Sequence, residues 1–230
     1  MTERTEFIFN TEGLGKQTSP SRGESKYVRA LAHFVSYIFH PLFIPVYVAA
    51  FLIYIHPFAF AGVPDRLRLL RFLAVFVSAT LLPAFSVFLM WRLGFINSIF
   101  LRTQKERIIP YSVAMIFYFW IWYVYKNLND SPLQIKEFLL GSFLAVCGAW
   151  LANIVNKVSM HGTAVGGLLG FMLIHGWTDP SIGGAYMSVA LVITGMVCTA
   201  RLMVSDHSAK EVYGGLVIGI LTQAIAIYFA

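Results

Sequence analysis

The sequence predicts an all-α fold, a polytopic transmembrane helical bundle of six to seven spans, on three observations. Apolar residues make up 58% of the chain and charged residues only 12%, with a mean hydropathy of +0.70, far from the balance of a soluble domain. Uncharged stretches recur at 30–64, 72–91, 108–125, 138–156, 158–178, 180–200 and 212–230, each about as long as or longer than the roughly 17–25 residues a helix needs to cross hydrocarbon. Backbone in lipid must satisfy its own hydrogen bonds, so such stretches are expected as helices rather than as an open sheet.

Residues 1–29 precede the first stretch with five basic and four acidic side chains among Ser, Thr and Gly, too polar to fold alone. They are expected as a disordered or surface-lying tail, leaving 30–230 as one transmembrane domain. The first apolar run lies too far in for a cleavable leader. Stretch 30–64 holds Pro41, Pro45 and Pro57, so a kink or a partly re-entrant path is expected there. Stretch 158–178 opens on polar residues, which leaves six spans as the lower count. Gly162, Gly166 and Gly170, and again Gly215 and Gly219, fall at four-residue spacing, a signal for close helix packing. Cys147 and Cys198 lie inside expected spans and read as packing residues rather than a disulfide or a metal pair. No nucleic-acid motif or internal repeat is present. The net charge of +6 suits anionic lipid headgroups and a phosphorylated substrate better than nucleic acid.

Three polar clusters interrupt this apolar chain: Lys105, Glu106 and Arg107 with Pro110; Ser159, Met160, His161 and Gly162; and Arg201 followed by Asp206, His207, Lys210 and Glu211. Charge inside a membrane bundle is costly unless paired or wet, which makes the clusters candidates for function. Two expected spans separate the first from the second and two more the second from the third, so all three emerge on one membrane face. On one continuous helix Arg201 and His207 would sit about 120° apart; Ser205 and Asp206, good N-cap residues, are expected to break the chain and let them converge. His207 and Glu211, four apart on the last helix, are neighbours on one face. A carboxylate there holds one ring nitrogen's proton and leaves the other free to attack; a structural hydrogen bond, or half a metal site, would use the same pair.

These residues resemble the type 2 phosphatidic acid phosphatase superfamily, whose motifs are K-x-x-x-x-x-x-R-P, P-S-G-H and S-R-x-x-x-x-x-H-x-x-x-D. Arg201, His207 and Glu211 keep the third motif's spacing, with Ala200 for its Ser and Glu for its Asp. Val158-Ser159-Met160-His161 keeps the Ser and His of the second. Lys105, Arg107 and Pro110 offer the chemistry of the first at a different spacing. The resemblance covers roughly residues 100–215. It implies a metal-independent hydrolase without cofactor, in which His207 attacks phosphorus to form a phosphohistidine, Glu211 orients it, and His161 serves as acid and then base. Lys105, Arg107, Ser159, Gly162 and Arg201 would hold the phosphoryl oxygens. Met160 replaces a glycine of the motif, and the loss of the Ser before Arg201 removes a hydroxyl donor.

The expected function is an integral membrane lipid phosphatase acting on a phosphomonoester or pyrophosphate headgroup, with a phosphorylated lipid or polyprenyl pyrophosphate as substrate and membrane lipids as surroundings. The alternative is a non-catalytic phospholipid-binding protein or transporter of the same fold. A bacterial cell (inner) membrane is the expected address. Most Lys and Arg fall on the face of the clusters, which by the positive-inside rule is the cytoplasmic one, although several are the expected phosphate ligands and bacterial relatives of this family commonly work on the outer side.

Overall fold

The computed structural model of the chain describes residues 25–99, 101, 103–204 and 207–230. Within them lie eight helices and no strand: α1 Lys26–Ile38, α2 Ile44–Ile55, α3 Asp65–Arg92, α4 Gln104–Lys126, α5 Leu133–Val155, α6 Met160–Thr178, α7 Gly183–Val204 and α8 Ala209–Phe229. The all-helical bundle expected from the sequence is therefore the observed one. Most of the polar N-terminal segment lies outside the described residues, as do Ser205 and Asp206, but helix α1 already starts at Lys26, with the Ser25 hydroxyl accepting from the Tyr27 amide.

Five helices, α3, α4, α5, α7 and α8, are long and apolar enough to cross a membrane. The stretch 30–64 is not one span. The chain breaks at residues 39–43 around Pro41, and α2 resumes with Pro45 in its first turn, where the missing amide costs nothing. At 12 residues α2 reaches about 18 Å, well short of a crossing. Helix α6 has the length, about 28 Å, but carries His161, Thr163, His175 and five glycines. It can be less apolar because it is enclosed: Val165, Gly166, Gly167, Leu168, Leu169, Gly170 and Phe171 are all buried.

The glycines explain that enclosure. A Cβ at Gly162 or Gly166 would collide with the backbone of Val212 or Leu216, and one at Gly215 or Gly219 with the backbone of Ser159, Thr163 and Gly167. Helices α6 and α8 thus meet main chain to main chain, as the four-residue spacing predicts. Helix α5 covers α8 and α4, while α7 packs on α6 and carries α1 against its outer side.

Two helices contain π-helical turns, at Phe51–Ile55 in α2 and Val77–Leu81 in α3. The second lies just before Pro83, whose absent amide breaks the regular ladder; a wider turn takes up the mismatch. Exposed aromatic and aliphatic side chains such as Phe85, Ile116, Leu151 and Val189 cover the outside of the bundle, the inverse of a soluble surface.

Candidate active site

One end of the bundle gathers the last turns of α3, α5 and α7 and the first turns of α4, α6 and α8. Helix α4 begins with a capping box, the Thr103 hydroxyl accepting from the Glu106 amide and the Glu106 carboxylate accepting from the Thr103 amide. That fixes the first turn and turns Arg107 inward, where it is 6% exposed. Its Nε donates to the Leu101 carbonyl at 2.8 Å and its Nη1 to the Val158 carbonyl at 2.9 Å. Leu101 adopts φ 48°, a conformation that costs a non-glycine residue about 1–3 kcal/mol. Its side chain is buried with Met90 and Ile96, and its carbonyl meets the guanidinium.

A second link joins the other clusters: the Ser159 amide donates to the Glu211 carbonyl at 3.0 Å. Main-chain and guanidinium hydrogen bonds therefore hold residues 101–107, 158–162 and 207–211 together at one rim, which is the convergence that the crossing count predicts.

Ser208 caps α8 by accepting from the Glu211 amide at 3.3 Å. The expected caps Ser205 and Asp206 lie outside the described residues. With the helix started there, Glu211 faces His207, and His207 Nδ1 meets Glu211 Oε2 at 2.5 Å; the imidazole side chain is 5% exposed and the carboxylate 24%. A carboxylate can only accept, so Nδ1 carries the hydrogen and Nε2 keeps its lone pair. Burial first, then the charges of Arg107, Lys157 and Arg201, hold the imidazole below its usual range, at about 3. A neutral ring with an open Nε2 is the form a nucleophile needs.

His161 lies in the first turn of α6, where its Nε2 donates to the Ser36 carbonyl of α1 at 3.1 Å, leaving Nδ1 as the acceptor. Its ring stands edge-on to His40, with centroids 5.5 Å apart. Arg201, in the last turn of α7, is close enough to bias His40, His161 and His207 electrostatically. Burial and then the Arg201 charge lower His40 to about 4. The rim thus assembles three imidazoles, one carboxylate and three cations in partly enclosed surroundings, a chemistry able to bind a dianion and move protons around it.

Not every expected phosphate ligand joins this cluster. Lys105 is exposed; two residues from Arg107 on one helix, it points about 200° away, and Lys157 stands near His207 in its stead. Ser159 is fully buried and its hydroxyl accepts from the Gly162 amide at 3.2 Å. That amide is committed to the cap of α6, and Gly162 itself serves the contact with α8. Both residues build the turn that carries His161 rather than offering donors to a phosphate. Met160, the bulky departure from the motif, packs against the Met90, Ile96 and Leu101 cluster.

Sequence reasoning overlooked Lys157, an isolated cation in the short α5–α6 connection, and the Ser36 carbonyl, which no side-chain pattern announces. His40, next to Pro41, belongs to none of the three sequence clusters. Among the described residues no group of three or more His, Cys, Asp or Glu side chains is arranged to hold a metal ion.

The opposite end carries its own polar groups. His56 Nδ1 accepts from the Phe58 and Ala59 amides, so Nε2 donates towards Asp179 Oδ2 at 3.2 Å and Ser181 Oγ at 2.9 Å. Glu137 Oε2 lies 3.0 Å from His175 Nε2, both residues buried in the bundle. Comparison with protein-family models, curated proteins and solved structures finds no match for this chain.

Proposed function

We propose that the chain is a membrane-embedded lipid phosphatase, a divergent member of the type 2 phosphatidic acid phosphatase superfamily, residing in a bacterial cell membrane. The observation that carries the reading is the His207–Glu211 couple, with Nδ1 held by the carboxylate and Nε2 open, ringed by Arg107, Lys157 and Arg201. The substrate is a phosphomonoester or pyrophosphate on a lipid.

In this reading the cations draw in the dianionic headgroup, and His207 Nε2 attacks phosphorus. A P–N bond forms as the P–O bond to the lipid breaks. His161, protonated through its Nδ1 when the dianion is bound, delivers that proton to the departing oxygen. Neutral again, the same nitrogen takes a proton from water, whose oxygen attacks phosphorus; the P–N bond breaks and inorganic phosphate leaves with His207 restored. Glu211 holds the Nδ1 proton throughout and stabilises the charge that builds on the ring. Positioning and electrostatic stabilisation are most of what phosphoryl transfer asks of a protein.

A second reading, a phospholipid-binding protein or transporter without turnover, is favoured by the buried Glu137–His175 pair. A phosphatase working at one rim does not need ionisable groups inside the bundle near the other. One assay separates the two: purified protein in detergent with phosphorylated lipids, excess chelator, and His207→Ala beside wild type. Phosphate release that survives chelator and is abolished by the substitution supports hydrolysis. Binding without release in both proteins favours the second reading.

A further inference from the structure

Helix α1 has 13 residues, about 20 Å, too short to cross a membrane. Its side chains divide by direction. At 100° per residue, Tyr27, Leu31, Phe34 and Ile38 form one apolar stripe, and Lys26, Arg29 and His33 form a polar one about 140° away. Both stripes are exposed, Leu31 at 61% and Phe34 at 59%. The third side carries Ala32 and Ser36, both buried, and is the side that rests on the bundle. A helix wholly in water gains nothing from the first stripe, and one standing in hydrocarbon would carry the charges of the second into lipid. A boundary between the two media suits both.

The position of α1 says which boundary. Its C-terminal end is tied to the polar rim, where the Ser36 carbonyl accepts from His161 Nε2 at 3.1 Å, and the Ile38 carbonyl accepts from the Tyr47 hydroxyl at 2.8 Å. Helix α7, which carries α1, is long and apolar enough to cross a membrane and exposes Leu191 and Val192. Helix α1 therefore sits beside a lipid-facing wall. A second copy of the chain docked on the apolar stripe would cover Leu31 and Phe34 and leave Lys26 and Arg29 pointing away from it. An anionic leaflet satisfies both stripes at once, hydrocarbon against one and headgroup phosphates against the other.

We infer that α1 lies in the plane of the leaflet at the rim, its apolar stripe in the acyl boundary and Lys26 and Arg29 on anionic headgroups, and that this seat holds the Ser36 carbonyl against His161. The inference goes beyond the phosphatase reading and stands without it, because it concerns where a helix sits and what it fixes. Lifting α1 from the leaflet withdraws the acceptor from His161 Nε2 and uncovers the ring. The composition of the membrane thereby reaches the rim through one backbone carbonyl.

The test uses the full chain, cleared of its own thiols by Cys147→Ser and Cys198→Ala, in nanodiscs of phosphatidylcholine alone or mixed with phosphatidylglycerol. Nitroxides are attached at Leu31→Cys, His33→Cys and Phe34→Cys, one per sample. Oxygen should relax the labels at 31 and 34 more than a water-soluble nickel complex does, at a depth of about 5–10 Å, and the order should reverse at 33. Phosphatidylglycerol should raise the oxygen-to-nickel ratio at 31 by about twofold or more, and Lys26→Gln with Arg29→Gln should abolish that rise. In the chain with its own cysteines, Leu31→Glu with Phe34→Glu should increase modification of His161 by diethyl pyrocarbonate several-fold. His175, buried towards the other end, should stay as protected as in wild type, which reports that the bundle is intact. Equal nickel access at all three positions places α1 in water and overturns the seat, and the depth profile needs no destabilising substitution to decide it. Dipolar broadening between copies at 31 and 34 assigns the stripe to a second copy and overturns it equally. Unchanged modification of His161 in the glutamate variant overturns the link to the imidazole.

Discussion

Replacing Arg107 by Lys separates charge from geometry. The guanidinium spans two carbonyls, Leu101 at 2.8 Å and Val158 at 2.9 Å, from different clusters. An ammonium keeps the positive charge but is a point donor on a flexible stem and cannot reproduce a fixed fork. At best it restores one of the two bonds. A hydrogen bond involving a charged group contributes about 1.5–3 kcal/mol, so Arg107→Lys should cost about 2–3 kcal/mol. At about 2–4 °C per kcal/mol for a chain of this size, that is a drop on the order of 5–10 °C in the unfolding midpoint. Heating aliquots in detergent and measuring the monodisperse fraction by size exclusion reads it directly. The strained Leu101 backbone, freed of its partner, should also make the 93–103 connection an early site of proteolysis. Wild-type thermal stability and proteolysis in Arg107→Lys would refute the idea that this side chain ties the clusters together.

Two further outcomes follow from the same geometry. His207 should remain neutral as pH falls from 8 to 5, because its folded value of about 3 lies below the ~6.5 of an unfolded imidazole. The unfolded chain then binds more protons between those values, so stability is lost as pH drops through that window; a histidine NMR titration, assigned with His207→Ala, should show no midpoint near 6.5 for this ring. Gly219→Ala should destabilise by about 1–3 kcal/mol through overpacking against Thr163 and Gly167, while Gly195→Ala, which meets nothing within 4 Å, should be neutral or stabilising by up to ~1 kcal/mol. Equal effects of the two in a detergent melt would contradict the α6–α8 contact.

How much was legible in the sequence depends on the length scale of each signal. Hydropathy marks the helices because lipid forces the backbone to satisfy itself, and glycine spacing marks the α6–α8 contact because only missing side chains let main chains touch. It does not say that 30–64 divides into α1 and a short α2, since Pro41 permits either a kink or a break. The pairing of His207 with Glu211 was visible because four residues on a helix are neighbours. Lys105 misled because residue type was read without helical phase: two positions from Arg107, it cannot share its face. Lys157 and the Ser36 carbonyl were hidden for another reason, namely that loops and backbone atoms enter a site through tertiary packing, and local pattern does not encode it. Ser159 and Gly162 show the converse, motif residues whose polar groups serve a helix cap.

The most direct measurement is to trap the intermediate. Protein incubated briefly with a lipid whose terminal phosphate is labelled with 32P, then quenched in alkali, should carry label on His207 that survives base and is lost in acid, as a P–N bond requires, and that is absent from His207→Ala. Rapid phosphate release with no labelled protein, or label that persists in His207→Ala, would contradict nucleophilic attack by this imidazole.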